Sequence, residues 1–275
     1  MSDITFNNPN LPIGIFDSGV GGLSVVREIF QQLPDEEIVY FGDTGRYPYG
    51  TRSVELVTKL ALENAALLMD FNIKMLVVAC NTASSVAMEA LSKRIPIPAL
   101  GVVRPGAYAA ARATRNAKIG IIGTNATVNS GSYQKVLKSL SPNIECVARP
   151  CPLFVSLAEE GWTIGPVAKM IAETYLADLR VSGIDTLILG CTHYPLLKPV
   201  IANTMGEGVT LIDSAEATVA QMSRIMDDAE GLRNDSKKPE HKFLVSDAPD
   251  RFKEVGERFL SQKIPDVFKV ALDTR

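Results

Sequence analysis

Four cysteines, two histidines and one tryptophan are all that this 275-residue chain carries of its scarcest side chains. Four thiols are too few to staple a chain of this size into a disulfide scaffold. Basic charge is not in excess either: the formal net charge is −3, so bulk electrostatics give nucleic acid no reason to bind. No apolar run reaches the length that spans a bilayer, and residues 1–12 have neither the basic start nor the apolar stretch of a signal peptide. The expectation is a cytoplasmic protein without a membrane partner, in a compartment that keeps thiols reduced. Cys80, Cys146, Cys151 and Cys191 are therefore reactive, metal-bound or simply buried. What the chain has in ordinary measure is 46% apolar and 21% charged residues, enough core for one large or two medium domains.

Hydropathy patterning points to an α/β fold. Ile13-Gly-Ile-Phe16 reads as a buried strand that breaks into Asp17-Ser-Gly-Val-Gly-Gly22, followed by a helix with Leu23, Val26, Phe30 and Leu33 on one stripe. A strand over 38–41, a turn-rich stretch over 42–50, a helix over 53–69 and a strand over 75–79 follow. The pattern restarts at Lys118-Ile-Gly-Ile-Ile-Gly-Thr124, which leads through Asn125-Ala-Thr127 into a helix over 132–140. Gly14 to Cys80 and Gly120 to Cys191 are similar chain distances, as a duplicated unit would give. Alternating strands and helices imply mostly parallel sheets. The fold expected is two similar α/β domains related by a pseudo-twofold, 1–104 with 215–275 and 105–214, with the active site between them. Residues 227–242 read as an exposed loop, and a strand over 243–245 and a helix over 250–260 complete the first domain. Ligands of such sheets bind beyond the carboxyl ends of the strands, where Asp17, Asp43, Cys80, Thr124 and Cys191 all fall.

Two cysteines share a setting. Val77-Val-Ala-Cys80-Asn-Thr82 and Ile188-Leu-Gly-Cys191-Thr-His193 each end an apolar run in a thiol and continue into hydrogen-bonding residues. A thiol acts as base or nucleophile only as thiolate, of which an unperturbed cysteine supplies roughly 3% at pH 7. A helix starting after Asn81 and Thr82 would aim its amides at Cys80 and lower its pKa, and His193 adds an imidazole beside Cys191. The bland reading of each, a buried structural thiol and a satisfied core histidine, stands against these. The turn after Asp17 has neither the G-x-G-x-x-G nor the Walker spacing, and its acid would repel phosphate. Cys146 and Cys151 flank Arg149-Pro150 without the paired C-x-x-C that structural zinc prefers, so no metal is assigned.

These strings resemble glutamate racemase: Ile15-Phe-Asp-Ser-Gly-Val-Gly-Gly-Leu23, Phe41-Gly-Asp-Thr-Gly-Arg-Tyr-Pro-Tyr-Gly50, Ala79-Cys-Asn-Thr-Ala83, Gly123-Thr-Asn-Ala-Thr-Val128 and Leu189-Gly-Cys-Thr-His-Tyr-Pro-Leu-Leu197. They occur in that family's order over most of the chain. Ser156, where proline is expected, is a departure outside the core motifs. The resemblance implies a cofactor-independent interconversion of L- and D-glutamate that supplies D-glutamate for peptidoglycan, by a homodimer with two domains facing across a cleft. It implies that Cys80 deprotonates D-glutamate and Cys191 L-glutamate, assisted by Asp17 and His193 respectively. Ser18, Tyr49, Gly50, Asn81, Thr82 and Thr192 would then bind the substrate together with Asp17 and His193, and Asp43, Glu159, Thr124 and Thr127 form a second tier without assigned roles. Racemases of aspartate or hydantoins, and a binding protein that uses the same cleft without turnover, are the alternatives.

Overall fold

Short apolar runs that end in Gly, Asp or Val become most of the strands, and longer amphipathic stretches become the main helices between them. The computed structural model describes residues 4–272. Its strands are β1 (Ile13–Asp17), β2 (Ile38–Gly42), β3 (Met75–Val78), β4 (Ala99–Gly101), β5 (Lys118–Gly123), β6 (Glu145–Pro150), β7 (Thr186–Gly190), β8 (Thr210–Asp213), β9 (Lys242–Val245) and β10 (Val267–Lys269). The helices are α1 (Leu23–Gln32), α2 (Val54–Met69), α3 (Asn81–Val86), α4 (Met88–Arg94), α5 (Val103–Ala113), α6 (Asn125–Ser130), α7 (Ser132–Leu140), α8 (Leu153–Glu159), α9 (Pro166–Val181), α10 (Lys198–Met205), α11 (Ser214–Asp228) and α12 (Pro249–Leu260). No helix among the described residues is long and apolar enough to cross a membrane.

The strands form two sheets, ordered β10-β9-β2-β1-β3-β4 and β6-β5-β7-β8, and every pairing is parallel. The first four strands therefore lie in the order 2-1-3-4, and the second four repeat it. Parallel sheets are covered on both faces, which is why their strands read as continuous apolar runs rather than alternating ones. Ile13, Ile15, Tyr40 and Val77 pack on one side against Val25 and Ile29 of α1, Val219 of α11 and Phe252 of α12. Phe16, Val39 and Val78 pack on the other against Leu60 of α2, Ala83 of α3 and Leu91 of α4. In the second sheet Leu187 and Leu189 face α8, α9 and α10, while Ile119, Ile121 and Ile188 face α5 and α7. At about 1.5–3 kcal/mol for each fully buried large apolar side chain, these four clusters fix which face each helix takes.

One expectation needs correction and another needs refinement. Asn125-Ala-Thr127 is not a connector: it forms α6, because Thr124 Oγ1 caps it by accepting from the Thr127 amide at 3.3 Å, and the helix over 132–140 starts only after a break at Gly131. The stretch 227–242 is the expected exposed loop over most of its length, since residues 229–241 form no helix or strand and most of the segment is exposed. Its first residues, however, end α11, and the Arg233 side chain turns inward, its guanidinium paired with Glu37 at 3.1 Å and Asp235 at 2.8 Å. The Arg233 amide donates to Glu36 at 2.8 Å, and Glu36 pairs with Lys74 at 2.6 Å. Lys74 also donates to the carbonyls of Pro9 and Gly231. A buried ion network thus ties the start of the chain and this return segment to the amino ends of β2 and β3.

Both members of the Lys74–Glu36 pair are almost fully buried, so removing one leaves a buried charge without its partner. Lys74→Met is expected to cost about 3–5 kcal/mol of unfolding free energy, measured by urea titration, and Lys74→Met with Glu36→Leu to recover most of it. A single-variant loss below about 1 kcal/mol would show that the network is not what holds the return segment.

Candidate active site

The carboxyl ends of both sheets open onto one cavity of about 260 Å³. From the first sheet come Ser18, Tyr49, Gly50, Cys80, Asn81 and Thr82, and from the second Thr124, Glu159, Cys191, Thr192 and His193. Each position follows from the local fold. Cys80 lies two residues beyond the end of β3 and occupies the cap position of α3. Cys191 directly follows β7, and a short turn of 3₁₀-helix over Tyr194–Leu197 comes after it. Both thiols are free and buried. The glycine-rich turn after β1 has a purpose here, since a Cβ on Gly21 would lie 2.3 Å from Thr192 Oγ1 and 2.5 Å from His193 Nδ1. Only glycine lets the turn from the first sheet approach the His193 loop of the second so closely.

The Cys191 side carries positive charge. His193 Nδ1 lies 3.8 Å from Cys191 Sγ, and Nε2 lies 2.9 Å from Glu159 Oε1. Burial alone would drive the imidazole neutral, but hydrogen bonding to Cys191 and Glu159 and the charges of both reverse this and raise its pKa from 6.5 to about 10. The protonated ring donates to Glu159 through Nε2–H and toward the sulfur through Nδ1–H. Glu159 is correspondingly held below the ordinary carboxylate range: burial opposes its charge, and His193 with a Tyr47 hydrogen bond outweighs that. Tyr47 stacks on the imidazole at 6.4 Å between ring centroids, and Phe259 meets it edge-on at 5.3 Å.

The Cys80 side is different. Its Sγ–H donates to Ser18 Oγ at 3.6 Å. Burial and the negative charge of Asp17 push the thiol up to about 12, against the opposing pull of the Ala83 amide and of Ser18. The expectation that α3 would lower this pKa is therefore corrected: a six-residue helix supplies too little field to outweigh desolvation. Asp17 does not line the cavity; it is fully buried behind it and accepts from the Gly19 amide at 2.9 Å. Burial raises its pKa, partly offset by the charge on His193 and by neighbouring amides.

The remaining candidates divide by what their polar atoms already hold. Thr82, Thr124 and Thr127 form a hydroxyl triangle with sides of 3.0, 3.1 and 3.3 Å, which joins α3 to α6 across the cavity. Thr192 Oγ1 lies 3.5 Å from His193 Nδ1. Tyr49 donates its hydroxyl to Asp43 and accepts from Asn64 at 3.0 Å, so it offers the cavity its ring and backbone rather than its phenol. Asp43 is fully buried outside the cavity, where it also pairs with Arg46 at 2.8 Å and accepts from Ser246 at 2.9 Å. Tyr47, Asn125 and Ser156 line the cavity without having been singled out for it. Tyr47 lies inside the string Phe41 to Gly50, and Ser156 was noted only as a departure. Cys146 lies on β6 and Cys151 is buried; neither borders the cavity. Among the described residues no cluster of three or more His, Cys, Asp or Glu is placed to hold a metal ion.

Comparison with known proteins gives a consistent result. The family model for Asp/Glu/hydantoin racemases matches residues 13–222. A curated glutamate racemase of Geobacter metallireducens is 54% identical over 261 residues, which are 95% of this chain and 97% of that one. The crystal structure of a glutamate racemase isoform from Bacillus anthracis superposes with a TM-score of 0.93 at 41% identity, covering 98% of this chain and all of the other. The glutamate racemase of Francisella tularensis, solved in complex with D-glutamate, gives 0.91 at 38% identity, with 97% and 100% covered.

The charge on His193 predicts a pH signature. A histidine whose pKa rises from 6.5 to about 10 on folding stabilises the folded state fully below pH 6.5, and this contribution disappears as pH climbs through about 10. Glu159, lowered from 4.5, contributes above that pH and loses its contribution as pH falls below it. Glu159→Gln is therefore expected to cost most stability between about pH 4.5 and 6.5, and progressively less toward pH 10. In parallel, the His193 Cε1 resonance should titrate near pH 10 in the unaltered protein and well below that in the variant. Titration near 6.5 in the unaltered protein would mean that the pair is not charged.

Proposed function

Because the chain belongs to the Asp/Glu/hydantoin racemase family, we propose that it is the glutamate racemase its closest-matching motifs describe, an amino-acid racemase that moves the α-hydrogen of glutamate with two cysteines. The observation that carries this reading is that Cys80 and Cys191 end strands of two separate sheets and border one cavity. Inverting an α-carbon takes a base on one face and an acid on the other, and two thiols at the ends of two facing sheets supply such a pair. The cavity, at about 260 Å³, exceeds the roughly 150 Å³ that accommodates benzene and suits an amino acid.

In the L to D direction Cys191 acts as thiolate beside protonated His193. It removes the α-proton, the C–H electron pair passes to the α-carbon, and the neutral Cys80 thiol delivers its proton to the opposite face. Cys191 then carries the proton and Cys80 the negative charge, and the reverse reaction uses them in exchanged roles. The carbanion is stabilised by the retained ammonium of the substrate and by donors fixed in a water-poor site. Ser18, Asn81, Thr82, Thr192 and the backbone around Tyr49 and Gly50 hold the ammonium and carboxylates, with Thr124 and Thr127 beside them. Asp17 acts on Cys80 from behind the cavity, and Glu159 keeps His193 charged. Two domains, 1–104 with 215–275 and 105–214, bring the thiols to opposite faces; the packing of α11 against α1 supports that division. A homodimer in the cytoplasm, making D-glutamate for peptidoglycan, completes the reading.

Purified protein is expected to abolish the circular dichroism of an L-glutamate solution without added cofactor, faster than that of aspartate or a hydantoin. Cys80→Ala and Cys191→Ala are each expected to lower kcat by about 10²–10⁴. Persisting optical activity with folded protein would refute the assignment. Tight glutamate binding without α-hydrogen exchange in deuterated water would support a binding protein instead.

A further inference from the structure

We propose that Tyr133 is a positioning residue for this reaction, holding the Asn81 amide so that its N–H faces a substrate carboxylate. The inference rests on the reading above that Asn81 meets the substrate. Asn81 follows Cys80 directly, is 2% exposed and lines the cavity. An amide can present either oxygen or N–H₂, and the partners behind it decide which.

Two residues supply those partners. Tyr133, on α7, donates its hydroxyl to Asn81 Oδ1 at 2.7 Å. Its ring is 1% exposed, and burial holds the phenol well above its ordinary pKa, so the proton stays on the oxygen. Ser214, the first residue of α11, lies with Oγ 3.5 Å from Asn81 Nδ2 and gives its own proton to the Leu189 carbonyl at 3.4 Å. With that proton committed, Ser214 is left to accept from Asn81. Both contacts direct the amide oxygen toward Tyr133 and leave one N–H for the cavity.

The fold makes room for this device. A Cβ on Gly190 would lie 2.6 Å from the Ile122 carbonyl oxygen and 3.2 Å from the Tyr133 ring, so the neighbouring strand keeps the residue before Cys191 free of a side chain, and the Tyr133 ring packs closely over its bare backbone. The chain Asn81, Ser214, Leu189 also links the residue after one candidate base to the strand that carries the other. Neither Tyr133 nor Ser214 borders the cavity, so each acts through Asn81.

Tyr133→Phe keeps the ring and removes the donor. The expected result is a KM for glutamate raised about tenfold in both directions, the worth of one hydrogen bond to a charged group, with kcat changed less than about threefold and thermal stability nearly unaltered. Asn81→Ala should raise KM by itself, and adding Tyr133→Phe to it should raise KM no further. The Asn81 side-chain amide resonances, identified by their loss in Asn81→Ala, should shift or broaden in Tyr133→Phe. Unchanged KM, additive losses or unmoved amide resonances would each overturn the proposal. If the unaltered protein leaves glutamate unturned, the functional reading falls, and the amide resonances still decide whether Tyr133 orients Asn81. Should Tyr133→Phe not fold, Asn81→Asp keeps an acceptor for Tyr133 but replaces the donor with negative charge. It should then raise KM more than Asn81→Ala, and an equal or smaller rise would overturn the orientation.

Discussion

Desolvation is the constraint on which the site depends. The side chains around the cavity have been taken out of water, and each ionisable group among them pays for its charge unless a partner stands beside it. Cys80 and Asp17 lack a nearby cation strong enough, and burial moves both toward their protonated forms. His193 is equally buried yet stays charged, because Glu159 and the Cys191 sulfur stand on either side of its ring. The same loss of water therefore favours the protonated form of one thiol and places a cation against the other. In water these differences would be screened, since an exposed ion pair is worth about 1 kcal/mol or less.

That contrast needs two elements from different parts of the chain to meet. The repeated strand order, 2-1-3-4 in the first sheet and 6-5-7-8 in the second, puts β3 and β7 in equivalent places, so the two cysteines emerge from equivalent ends. Between them the contacts are short and specific: Gly21 against Thr192 and His193, and the hydroxyl triangle of Thr82, Thr124 and Thr127. The outer side is held from α12, where Arg251 pairs with Glu160 at 3.0 Å and Arg258 donates to the Glu159 carbonyl at 2.6 Å. These arginines are partly exposed, and such pairs add little stability alone. They fix the end of α8 instead, and with it the carboxylate that charges His193.

Much of this was legible in the chain because parallel strands, buried on both faces, announce themselves as apolar runs, and because the residue after such a run lies at the ligand-binding edge. Cys80, Thr124 and Cys191 could be placed at the cavity on those grounds, whereas Asp17 and Asp43, read the same way, lie outside it, and Ser18, Asn81 and Thr192 were marked by the family resemblance. The helix of 53–69 was legible from its pattern; the structure adds that Ser53 caps it, its side chain accepting from the Leu56 amide. Pairings between distant residues were not. Glu159 lies on α8, far in sequence from His193, and no local pattern marks it as the partner. The state of Cys80 was missed because the start of a helix can be read locally, whereas burial beside Asp17 cannot. Ser156 and Tyr47 reach the cavity through the course of their segments rather than through any periodicity, and Arg233 is buried only because Glu36, Glu37 and Asp235 gather around it.

The two thiols are alike in sequence and unlike in surroundings, and this bears on how the proposed reaction would return to its start. After one turnover from L to D, negative charge has moved from Cys191, where His193 balances it, to Cys80, where Asp17 is nearest and no cation adjoins the sulfur. The product-side state is thus the less favourable of the two unless Asp17 is protonated. Its raised pKa makes that protonated form accessible. A neutral Asp17 ceases to repel the Cys80 thiolate, and the starting state returns when Cys191 gives up the proton it abstracted and Cys80 takes one up after product leaves. Burying an acid behind a thiol, which would only destabilise a static site, then makes chemical sense within the proposed reaction, where two unequal sulfurs exchange roles with a cation beside only one of them.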